Sequence, residues 1–479
     1  MQHLAPEGLI TYNGNNQPWE ESQMKNFLKE AAHVKPSQRQ LNWFEVGFYA
    51  FIHFGVNTFT DREWGDGTEE EAIFNPEKLD CDQWVSVVKA AGMKGLILTA
   101  KHHDGFCLWP SQYTEHSVKN SPCMRDIVKE AAEACKRGGI PFGFYLSPWD
   151  RNSQYYGTPE YNDYFCNQLK ELLTQYGDIF CVWFDGACGE GPNGKKQEYD
   201  FPRYIELIRK YQPNAVIFND AGPDVRWVGN EAGVARHAEW AVVPGELCFR
   251  SKVQTGPGPL ADEGSLSHLY NTDKELGTLS SILYSKGLTF TPSEMDMSIR
   301  KGWFWHDYED PHPLERLFRT WLTSYGANAC LNLNVPPNRD GLIDARDVKR
   351  LQELGDLIRQ EFGSPIPAKV KQLAAPRTQP KYEICFEKPV RNVKYVEICE
   401  DIAQGQRIET FQIIADTHSG AQFPLYQGTC VGNRKICVLQ DPFGDQNPLL
   451  SDAKDYVEKL TLFVTAARDE VALKELNVY

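Results

Sequence analysis

The chain has 479 residues, of which 41% are hydrophobic and 24% charged, a composition typical of globular rather than disordered proteins. Its 50 basic and 65 acidic residues give a formal net charge of −15, which argues against a nucleic-acid partner because phosphate binding needs clustered Lys and Arg. No apolar run reaches the roughly 18 residues that span a bilayer, so we expect no membrane span.

The N-terminus and the cysteines bear on the compartment. Met1–Ile10 lacks both a basic n-region and an apolar h-region, so we expect no signal peptide. The chain is then either cytoplasmic or a mature form whose leader has been removed, and the compartment is left open. The 13 cysteines are an odd number without a CxxC pair, which predicts neither a complete disulfide framework nor a zinc ribbon.

Short apolar runs alternate with helical stretches between residues 46 and 335. The runs that predict strands are Val46–Phe54, Gly95–Ala100, Phe142–Leu146, Ile179–Phe184 and Ala215–Asn219, with weaker ones at Trp240–Pro244, Leu288–Thr291 and Ala329–Leu333. The helical stretches between the first five are Cys81–Ala91, Asp126–Arg137, Tyr161–Tyr176 and Tyr204–Tyr211. This alternation indicates parallel strands. Eight of them, without a G-x-G-x-x-G turn after the first, predict an α/β fold with a (β/α)₈ TIM-like barrel.

The pattern changes after Phe362. The segment Gly363–Pro367 is rich in turn formers and predicts a linker. Partly alternating strand-like segments follow at Tyr382–Phe386, Lys394–Glu400, Arg407–Ala415, Lys435–Leu439 and Lys459–Ala466. We therefore predict a barrel domain over residues 1–362 and a C-terminal β-sandwich over residues 363–479. Whether the sandwich binds carbohydrate is left open.

Polar residues follow the first five predicted strands at their C-terminal ends, where barrel enzymes carry their chemistry. In chain order these are His53, the run Lys101-His102-His103-Asp104, the run Tyr145 to Asp150, Asp185, and the pair Asn219-Asp220 leading into Asp224, Arg226, Trp227 and Glu231. Five polar strand ends in register predict that these side chains converge on one barrel mouth.

Each candidate also has a structural interpretation. A single histidine such as His53 is more often a hydrogen-bonded structural group than a catalyst. His102 and His103 would point to opposite faces of a strand, and no third zinc ligand is evident. Asp185 follows an apolar run, where a carboxylate is costly unless it is paired or used, so we favour a function. Glu231 lies in a loop between glycines, where a solvated side chain is an equally good interpretation.

Six segments of the barrel region carry a resemblance to a known family. They are FIHFG (51–55), KHHDGF (101–106), FYLSPWD (144–150), VWFDG (182–186), DVRWVGNEAG (224–233) and SIRKGWFWH (298–306). In this order they resemble glycoside hydrolase family 29, the α-L-fucosidases. The first strand, the segment NTFTDREWG (57–65) and the DVRWVGNEAG loop resemble its second subfamily, which favours α-1,3- and α-1,4-linked fucose in branched Lewis-type glycans.

The resemblance implies a retaining exo-α-L-fucosidase that works in two steps through a fucosyl-Asp intermediate. It implies Asp185 as the nucleophile and Glu231 as the acid/base, with Glu294 in TPSEMD (291–296) as a rival. The residues implied in substrate binding or in shaping the pocket are His53, Glu63, Trp64, His102, His103, Tyr145, Glu294, Arg300 and Trp303. Two carboxylates are what retention requires, one to attack the anomeric carbon and one to protonate the leaving oxygen.

No cofactor and no metal is expected, and the expected partner is a fucosylated oligosaccharide or glycoconjugate. Three alternatives remain: a non-catalytic carbohydrate-binding protein, a metal-dependent hydrolase that uses the histidine pair, and another exo-glycosidase on the same barrel. The presence of both carboxylates favours a hydrolase. The source glycan, the aglycone and the oligomeric state are left open.

Overall fold

The computed structural model describes residues 21–219, 223–245, 275–283, 285, 287–444 and 456–479. The α-helices within these ranges are α1 (Glu21–Ala32), α2 (Gln38–Val46), α3 (Val56–Thr60), α4 (Cys81–Ala90), α5 (Ile127–Gly138), α6 (Glu160–Gln175), α7 (Phe201–Tyr211), α8 (Leu279–Ile282), α9 (Leu314–Ser324) and α10 (Ala345–Phe362). None of the helices in these ranges is both long and apolar enough to cross a membrane.

The strands fall into two groups along the chain. Those before α10 are β1 (Phe48–Ile52), β2 (Leu96–Lys101), β3 (Phe142–Leu146), β4 (Ile179–Trp183), β5 (Val216–Phe218), β6 (Arg226–Trp227), β7 (Val242–Pro244), β8 (Leu288–Phe290), β9 (Ser293–Ser298) and β10 (Ala329–Asn334). Those after α10 are β11 (Ala368–Gln372), β12 (Lys381–Val390), β13 (Tyr395–Glu400), β14 (Ile408–Thr417), β15 (Gln422–Thr429), β16 (Lys435–Val438), β17 (Val457–Ala467) and β18 (Leu473–Val478).

A parallel sheet of eight strands forms a nearly closed barrel in the described part of the chain. Its order is β5-β4-β3-β2-β1-β10-β9-β6. The two edge strands, β5 and β6, approach each other through a bridge between Phe218 and Val225. The predicted α/β fold with a TIM-like barrel is therefore confirmed.

Two of the eight predicted barrel strands were assigned to the wrong segments. The runs Trp240–Pro244 and Leu288–Thr291 contain β7 and β8, which pair antiparallel with each other outside the barrel. The barrel instead uses β6 and β9 at these places. Neither reads as an apolar run, because β6 has only two residues and β9 carries the polar side chains Glu294, Asp296 and Ser298.

Local sequence signals explain where the barrel helices begin and end. Asp80, Asp126 and Asp200 are the N-cap residues of α4, α5 and α7, and each carboxylate accepts the backbone N–H of the third residue beyond it. Helix α5 stops at Gly139, whose φ of 69° is a left-handed conformation that glycine adopts without strain.

Side chains along each barrel strand alternate between the lumen and the surrounding helices. On β4, Cys181 and Trp183 belong to the lumen cluster, whereas Val182 packs in the layer between strands and helices. The rings of Phe51 and Trp183 lie 5.1 Å apart in the lumen. This aromatic layer fills the barrel, so a ligand can enter only at the mouth above it.

The C-terminal region is antiparallel. Its described strands form a five-stranded sheet, β11-β12-β17-β14-β15, and a three-stranded sheet, β16-β13-β18, around one apolar cluster. These sheets confirm the predicted β-sandwich. The region packs on the end of α10, where the ring of Phe362 lies 4.6 Å from that of Tyr395. The division of the chain between residues 362 and 363 stays a prediction.

A buried ion pair joins the ends of β2 and β3 beneath the barrel mouth. Lys101 Nζ lies 2.8 Å from Asp150 Oδ2 and 2.9 Å from Gln168 Oε1, and neither charged side chain is exposed. We expect Lys101→Met or Asp150→Leu to lower the free energy of unfolding by about 3–5 kcal/mol, because each leaves a buried charge without its partner.

Urea denaturation of the two single variants and of the double variant measures this effect. The double variant should lose less than the sum of the single losses, because neither charge remains. The exposed pair of Lys78 and Asp340, 3.0 Å apart, is the control, and Lys78→Met should cost less than about 1 kcal/mol. Equal losses for the buried and the exposed pair would contradict the argument.

Candidate active site

Side chains from four strand ends meet in one pocket at the barrel mouth. His53 follows β1, His102 and His103 follow β2, and Tyr145 lies on β3. The ring centroids of His53 and His102 are 5.7 Å apart, those of His102 and His103 are 4.1 Å apart, and those of His53 and Tyr145 are 6.1 Å apart. From β4, Asp185 accepts a hydrogen bond from the Tyr145 hydroxyl at 3.1 Å. The predicted convergence of these five residues is therefore observed.

Asp185 is the carboxylate at the centre of this group. Its Oδ1 accepts the backbone N–H of Ala187 at 2.7 Å, and its Oδ2 accepts from Tyr145 and lies 3.8 Å from His103 Nε2. The side chain is 26% exposed, whereas His103 is 3% exposed. Two donors thus fix the orientation of a carboxylate that a molecule in the pocket can still reach.

Asn334 determines which ring nitrogen of His53 carries the proton. Asn334 Nδ2 donates to Ser298 Oγ at 2.9 Å and to the Trp303 carbonyl at 2.7 Å, so its Oδ1 is the acceptor that lies 2.9 Å from His53 Nδ1. Nδ1 of His53 therefore carries the proton and Nε2 presents a lone pair. Burial lowers the pKa of His53 to about 3, which keeps the ring neutral.

His103 is fixed in the same way by Ser147. The hydroxyl of Ser147 donates to the Trp149 carbonyl at 2.6 Å, so it accepts from His103 Nδ1 at 2.7 Å. Nε2 of His103 then carries the lone pair and can accept from a hydroxyl group that lies beside Asp185. Burial lowers the pKa of His103, although the charge of Asp185 opposes this shift.

His102 presents the opposite polarity. Asn57 Nδ2 lies 3.4 Å from His102 Nδ1, which makes Nδ1 the acceptor and leaves Nε2–H as the donor. Burial lowers the pKa of His102 well below its usual value, and its ring stacks on Tyr145 at 5.7 Å. The three histidines together offer two acceptors and one donor, a pattern that suits the hydroxyl groups of a sugar.

Trp64 stands at the rim of the pocket. It is 49% exposed, and its ring meets His103 edge-on at 5.7 Å and Trp149 edge-on at 5.5 Å. An indole that is supported on one side and open on the other provides a flat apolar surface for a ligand.

Glu231 reaches the same mouth from the loop after β6. Its Oε2 accepts from the Trp303 indole N–H at 3.1 Å. The residue is exposed on its solvent side, and its carboxyl group lies against the Trp303 indole. This partial burial raises the pKa of Glu231; the indole hydrogen bond lowers it, and the negative charges of Asp185 and Glu63 raise it further.

Glu294 lies in the barrel lumen, below the pocket. It is fully buried, with one oxygen accepting from the Tyr49 hydroxyl and the other from Trp183 Nε1 at 2.7 Å and Asn332 Nδ2 at 3.2 Å. Burial raises its pKa to about 7. Because every contact of this carboxyl is with the barrel wall, its surroundings differ sharply from those of Glu231.

Asp296 follows Glu294 on the lumen side of β9 and was not predicted as a site residue. It is buried, and its Oδ1 accepts from the Trp227 indole at 2.5 Å. Burial raises its pKa well above the usual range, as do the charges of Glu231 and Glu294. The period-two spacing of Glu294, Asp296 and Ser298 was the available signal, since these positions share one face of a strand.

Several candidates lie outside the pocket. Arg300 is buried and donates to Asp347 on α10 at 2.8 Å, so it anchors the loop that carries Trp303. Asp224 pairs with Arg39 and Arg209 instead of facing the mouth. Arg226 pairs with Glu239 at 2.8 Å, and Asp220 lies outside the described residues. From the fifth predicted strand end, Glu231 reaches the mouth, whereas the Trp227 indole donates to Asp296 on β9 and Asn219 is buried.

Among the described residues, no three or more His, Cys, Asp or Glu side chains are grouped as metal ligands would be. Every cysteine within the described ranges is unpaired, and most are buried. In particular, His102 is hydrogen-bonded to Asn57 and His103 to Ser147, so the two rings are oriented for hydrogen bonding.

Comparison with known proteins gives consistent matches. A family model described as Alpha-L-fucosidase matches residues 33–226 and 192–361. α-L-Fucosidase 1 of Arabidopsis thaliana is 40% identical over 433 residues, which cover 84% of this chain and 81% of the plant protein. The crystal structure of a glycoside hydrolase 29 family member from an unknown rumen bacterium is 37% identical, with a TM-score of 0.78 over 93% of this chain and 77% of that chain. The Ruminococcus gnavus GH29 fucosidase in complex with fucose is 28% identical, with a TM-score of 0.77 over 93% and 95% of the two chains.

Proposed function

The chain belongs to the α-L-fucosidases of glycoside hydrolase family 29, and we propose that it removes terminal α-L-fucose with retention of configuration. The family that the six sequence motifs implied is thereby confirmed, as is the enzyme class, a glycoside hydrolase. One observation carries the mechanistic proposal: Asp185, held by Tyr145, and Glu231, held by Trp303, come to one mouth, where the charge of Asp185 helps to raise the pKa of Glu231.

Asp185 is the proposed nucleophile. Its Oδ2 would attack the anomeric carbon and form a fucosyl ester while the glycosidic bond breaks, and water would later cleave that ester. The donors Tyr145 O–H and Ala187 N–H stabilise the carboxylate and hold it in one orientation.

Glu231 is the proposed acid/base. Its raised pKa keeps it protonated to higher pH than an ordinary glutamate, so it can give a proton to the leaving oxygen. The Trp303 indole can only donate and therefore pairs with the unprotonated oxygen Oε2, which leaves Oε1 to carry the proton. After the leaving group departs, the carboxylate can take a proton from the incoming water.

The histidines are the proposed fucose-binding groups. The lone pairs on Nε2 of His53 and His103 can accept from sugar hydroxyls, and Nε2–H of His102 can donate to one. Their low pKa values keep this pattern constant across neutral pH, since none of them gains a proton there. Trp64 at the rim supports the proposal by offering an apolar face to the ring.

We further propose that the preferred substrates are the α-1,3- and α-1,4-linked fucoses of branched Lewis-type glycans. The subfamily resemblance of NTFTDREWG and of the loop with Glu231 supports this proposal. Glu231 lies on a rim loop between Gly229 and Gly233, whose φ angles are 111° and 77°. A second sugar of a branched substrate could contact this loop and help place the acid over the glycosidic oxygen.

We expect Lewis a or Lewis x trisaccharide to be cleaved with a kcat/KM at least about tenfold higher than that of 2'-fucosyllactose, equivalent to about 1.4 kcal/mol of transition-state binding. Fucose release from each substrate measures the ratio. NMR of the first-formed anomer tests the mechanism in the same reaction, with α-fucose expected. Preference for 2'-fucosyllactose would remove the linkage proposal alone, whereas initial β-fucose would remove the two-step mechanism.

A further inference from the structure

We propose that His306, held as an imidazolium between Asp61 and Glu63, is a positioning residue that fixes Trp303 and, through Trp303, the acid Glu231. The inference rests on the proposed role of Glu231. It adds a residue that touches neither the expected sugar nor the reacting atoms, and it assigns to that residue a measurable part in acid catalysis.

Both ring nitrogens of His306 face carboxylates. Nδ1 lies 2.6 Å from Asp61 Oδ1, and Nε2 lies 2.7 Å from Glu63 Oε1. A carboxylate can only accept, so both nitrogens must donate, and a ring with two donors is the cation. The imidazole is 3% exposed, whereas the side chains of Asp61 and Glu63 are 43% and 38% exposed, so water stabilises both negative charges.

Glu63 connects His306 to the backbone of the loop after β9. Its Oε2 accepts the backbone N–H of Trp303 at 2.7 Å, and its Oε1 accepts that of Phe304 at 3.2 Å. Both oxygens of Glu63 are thus engaged by one loop that also carries His306. If the imidazolium lost its proton, one of its two hydrogen bonds to carboxylates would disappear, and the cluster would hold the loop less tightly.

Trp303 connects the loop to the acid. With its backbone fixed by Glu63, its indole N–H donates to Glu231 Oε2 at 3.1 Å, and its carbonyl accepts from Asn334, the partner of His53. Trp303 is therefore held at its N–H and at its carbonyl, and the direction of the indole follows. A chain of hydrogen bonds, each between 2.6 and 3.1 Å long, runs from Asp61 to Glu231.

The surroundings of His306 agree with the charged form. Burial lowers its pKa, but the hydrogen bonds and charges of Asp61 and Glu63 outweigh this and raise the pKa above its usual value. Tyr308 stacks on the ring at 5.2 Å, and Arg300 Nη1 donates to the His306 carbonyl, not to the ring. Glu309 is held by the N–H of Gly302.

The sign of the pH effect follows from the raised pKa. The cluster is intact below the pKa of His306 and loosens as pH rises through it, so proton donation by Glu231 should fail on the alkaline side. Substrates that need no proton, such as fucosyl fluoride, should be spared.

The test is His306→Gln, with His312→Gln as the matched control. His312 follows the loop in the chain: its Nδ1 is 3.4 Å from Arg316 Nη1, its other hydrogen bonds include the backbone of Ile299 and Arg300, and none of those described reaches Glu63, Trp303 or Glu231. We expect His306→Gln to lower kcat/KM for the best glycan substrate at least about tenfold more than for fucosyl fluoride, because only the glycan needs the acid. His312→Gln should leave the ratio of the two substrates unchanged.

Asp61→Asn supplies the second measurement. Asp61 has a φ of 58°, a conformation that Asn tolerates well, so the backbone should keep its shape. Removing the charge should lower the His306 pKa by about one unit or more, measured by NMR of the imidazole nitrogens, and the glycan-to-fluoride ratio should fall at correspondingly lower pH.

Equal losses of both substrates in His306→Gln, or a His306 pKa at or below 6.5 in the wild type, would overturn the inference. Glu231→Ala separates this failure from a failure of the proposed function. Suppose that Glu231→Ala keeps its activity on fucosyl fluoride, whereas His306→Gln loses equal activity on the glycan and on the fluoride. Glu231 would then still be the acid, but the positioning role of His306 would be wrong. If Glu231→Ala itself shows no selectivity, the proposed acid is wrong.

Discussion

Asp185→Ala is expected to fold and to lose turnover by on the order of 10⁴-fold or more on every fucoside, since removal of a catalytic nucleophile commonly costs that much. The variant has no oxygen to form the fucosyl ester, and the Tyr145 hydroxyl loses its acceptor at 3.1 Å. Leaving that buried hydroxyl unpaired costs about 1–3 kcal/mol of stability, which a domain of this size tolerates. Asp185→Asn keeps one oxygen for the Ala187 N–H, and the Tyr145 hydroxyl can turn to accept from the new NH₂ group, so this variant should lose turnover with a smaller loss of stability.

Azide distinguishes a missing nucleophile from a damaged site. In Asp185→Ala the space left by the carboxylate should admit azide, which can attack an activated α-fucoside directly and yield the inverted β-fucosyl azide. Asp178→Ala is the control, because Asp178 precedes the same strand at its opposite end and is exposed. Near wild-type turnover of Asp185→Ala on any substrate would assign the attack to another residue.

The barrel strands could be predicted from the sequence wherever both faces of a strand are buried. Strands β2, β3 and β4 read as continuous apolar runs, and their observed bounds differ from the predicted ones by at most one residue. The failure was at β6, which has only two residues, and at β9, whose lumen side carries Glu294 and Asp296. A search for apolar runs misses such a strand. Its polar groups can be buried because their hydrogen-bond partners lie far away in the chain, and the local sequence does not show those partners.

The convergence of the site could also be predicted, since parallel topology brings all strand ends to one mouth. This argument needs only the strand order, and it brought together His53, His102, His103 and Asp185. The hydrogen-bond partners that determine the protonation and orientation of each side chain could not be predicted. Asn334 and His306 act on residues more than 240 positions earlier, and no local pattern in the sequence records such pairs.

The rivalry between Glu231 and Glu294 shows where sequence reasoning ends. Both are glutamates within matching segments, and both have a raised pKa because of burial. They differ in access: Glu294 is enclosed by Tyr49, Trp183 and Asn332, whereas Glu231 stands at the rim. A proton donor must reach the leaving oxygen, so the structure favours Glu231 for a reason that residue type cannot supply.

Glu231→Ala is accordingly expected to lose more activity on substrates whose leaving group needs a proton than on substrates whose leaving group does not. For glycan substrates kcat/KM should fall by about 10²- to 10⁴-fold, the usual contribution of general acid catalysis. For fucosyl fluoride, whose leaving group departs without a proton, kcat/KM should stay within about tenfold of wild type, because kcat/KM covers the steps only up to formation of the fucosyl ester. The alkaline fall of kcat/KM with glycans should disappear in this variant, because loss of the Glu231 proton and loss of the His306 proton both act through the missing carboxyl group.

Glu294→Gln should behave differently, and the contrast decides the assignment. The amide keeps one oxygen as an acceptor but turns an N–H₂ group toward a donor, either the Tyr49 hydroxyl or the pair Trp183 and Asn332. We expect a loss of about 1–3 kcal/mol of stability, measured by urea denaturation, and similar changes of kcat/KM for glycan and fluoride. If Glu294→Gln instead spared the fluoride while Glu231→Ala affected both substrates equally, the proton would have to come from inside the barrel. Glu294 would then need a path to the leaving oxygen past Trp183, which its fully buried carboxyl does not have in this structure.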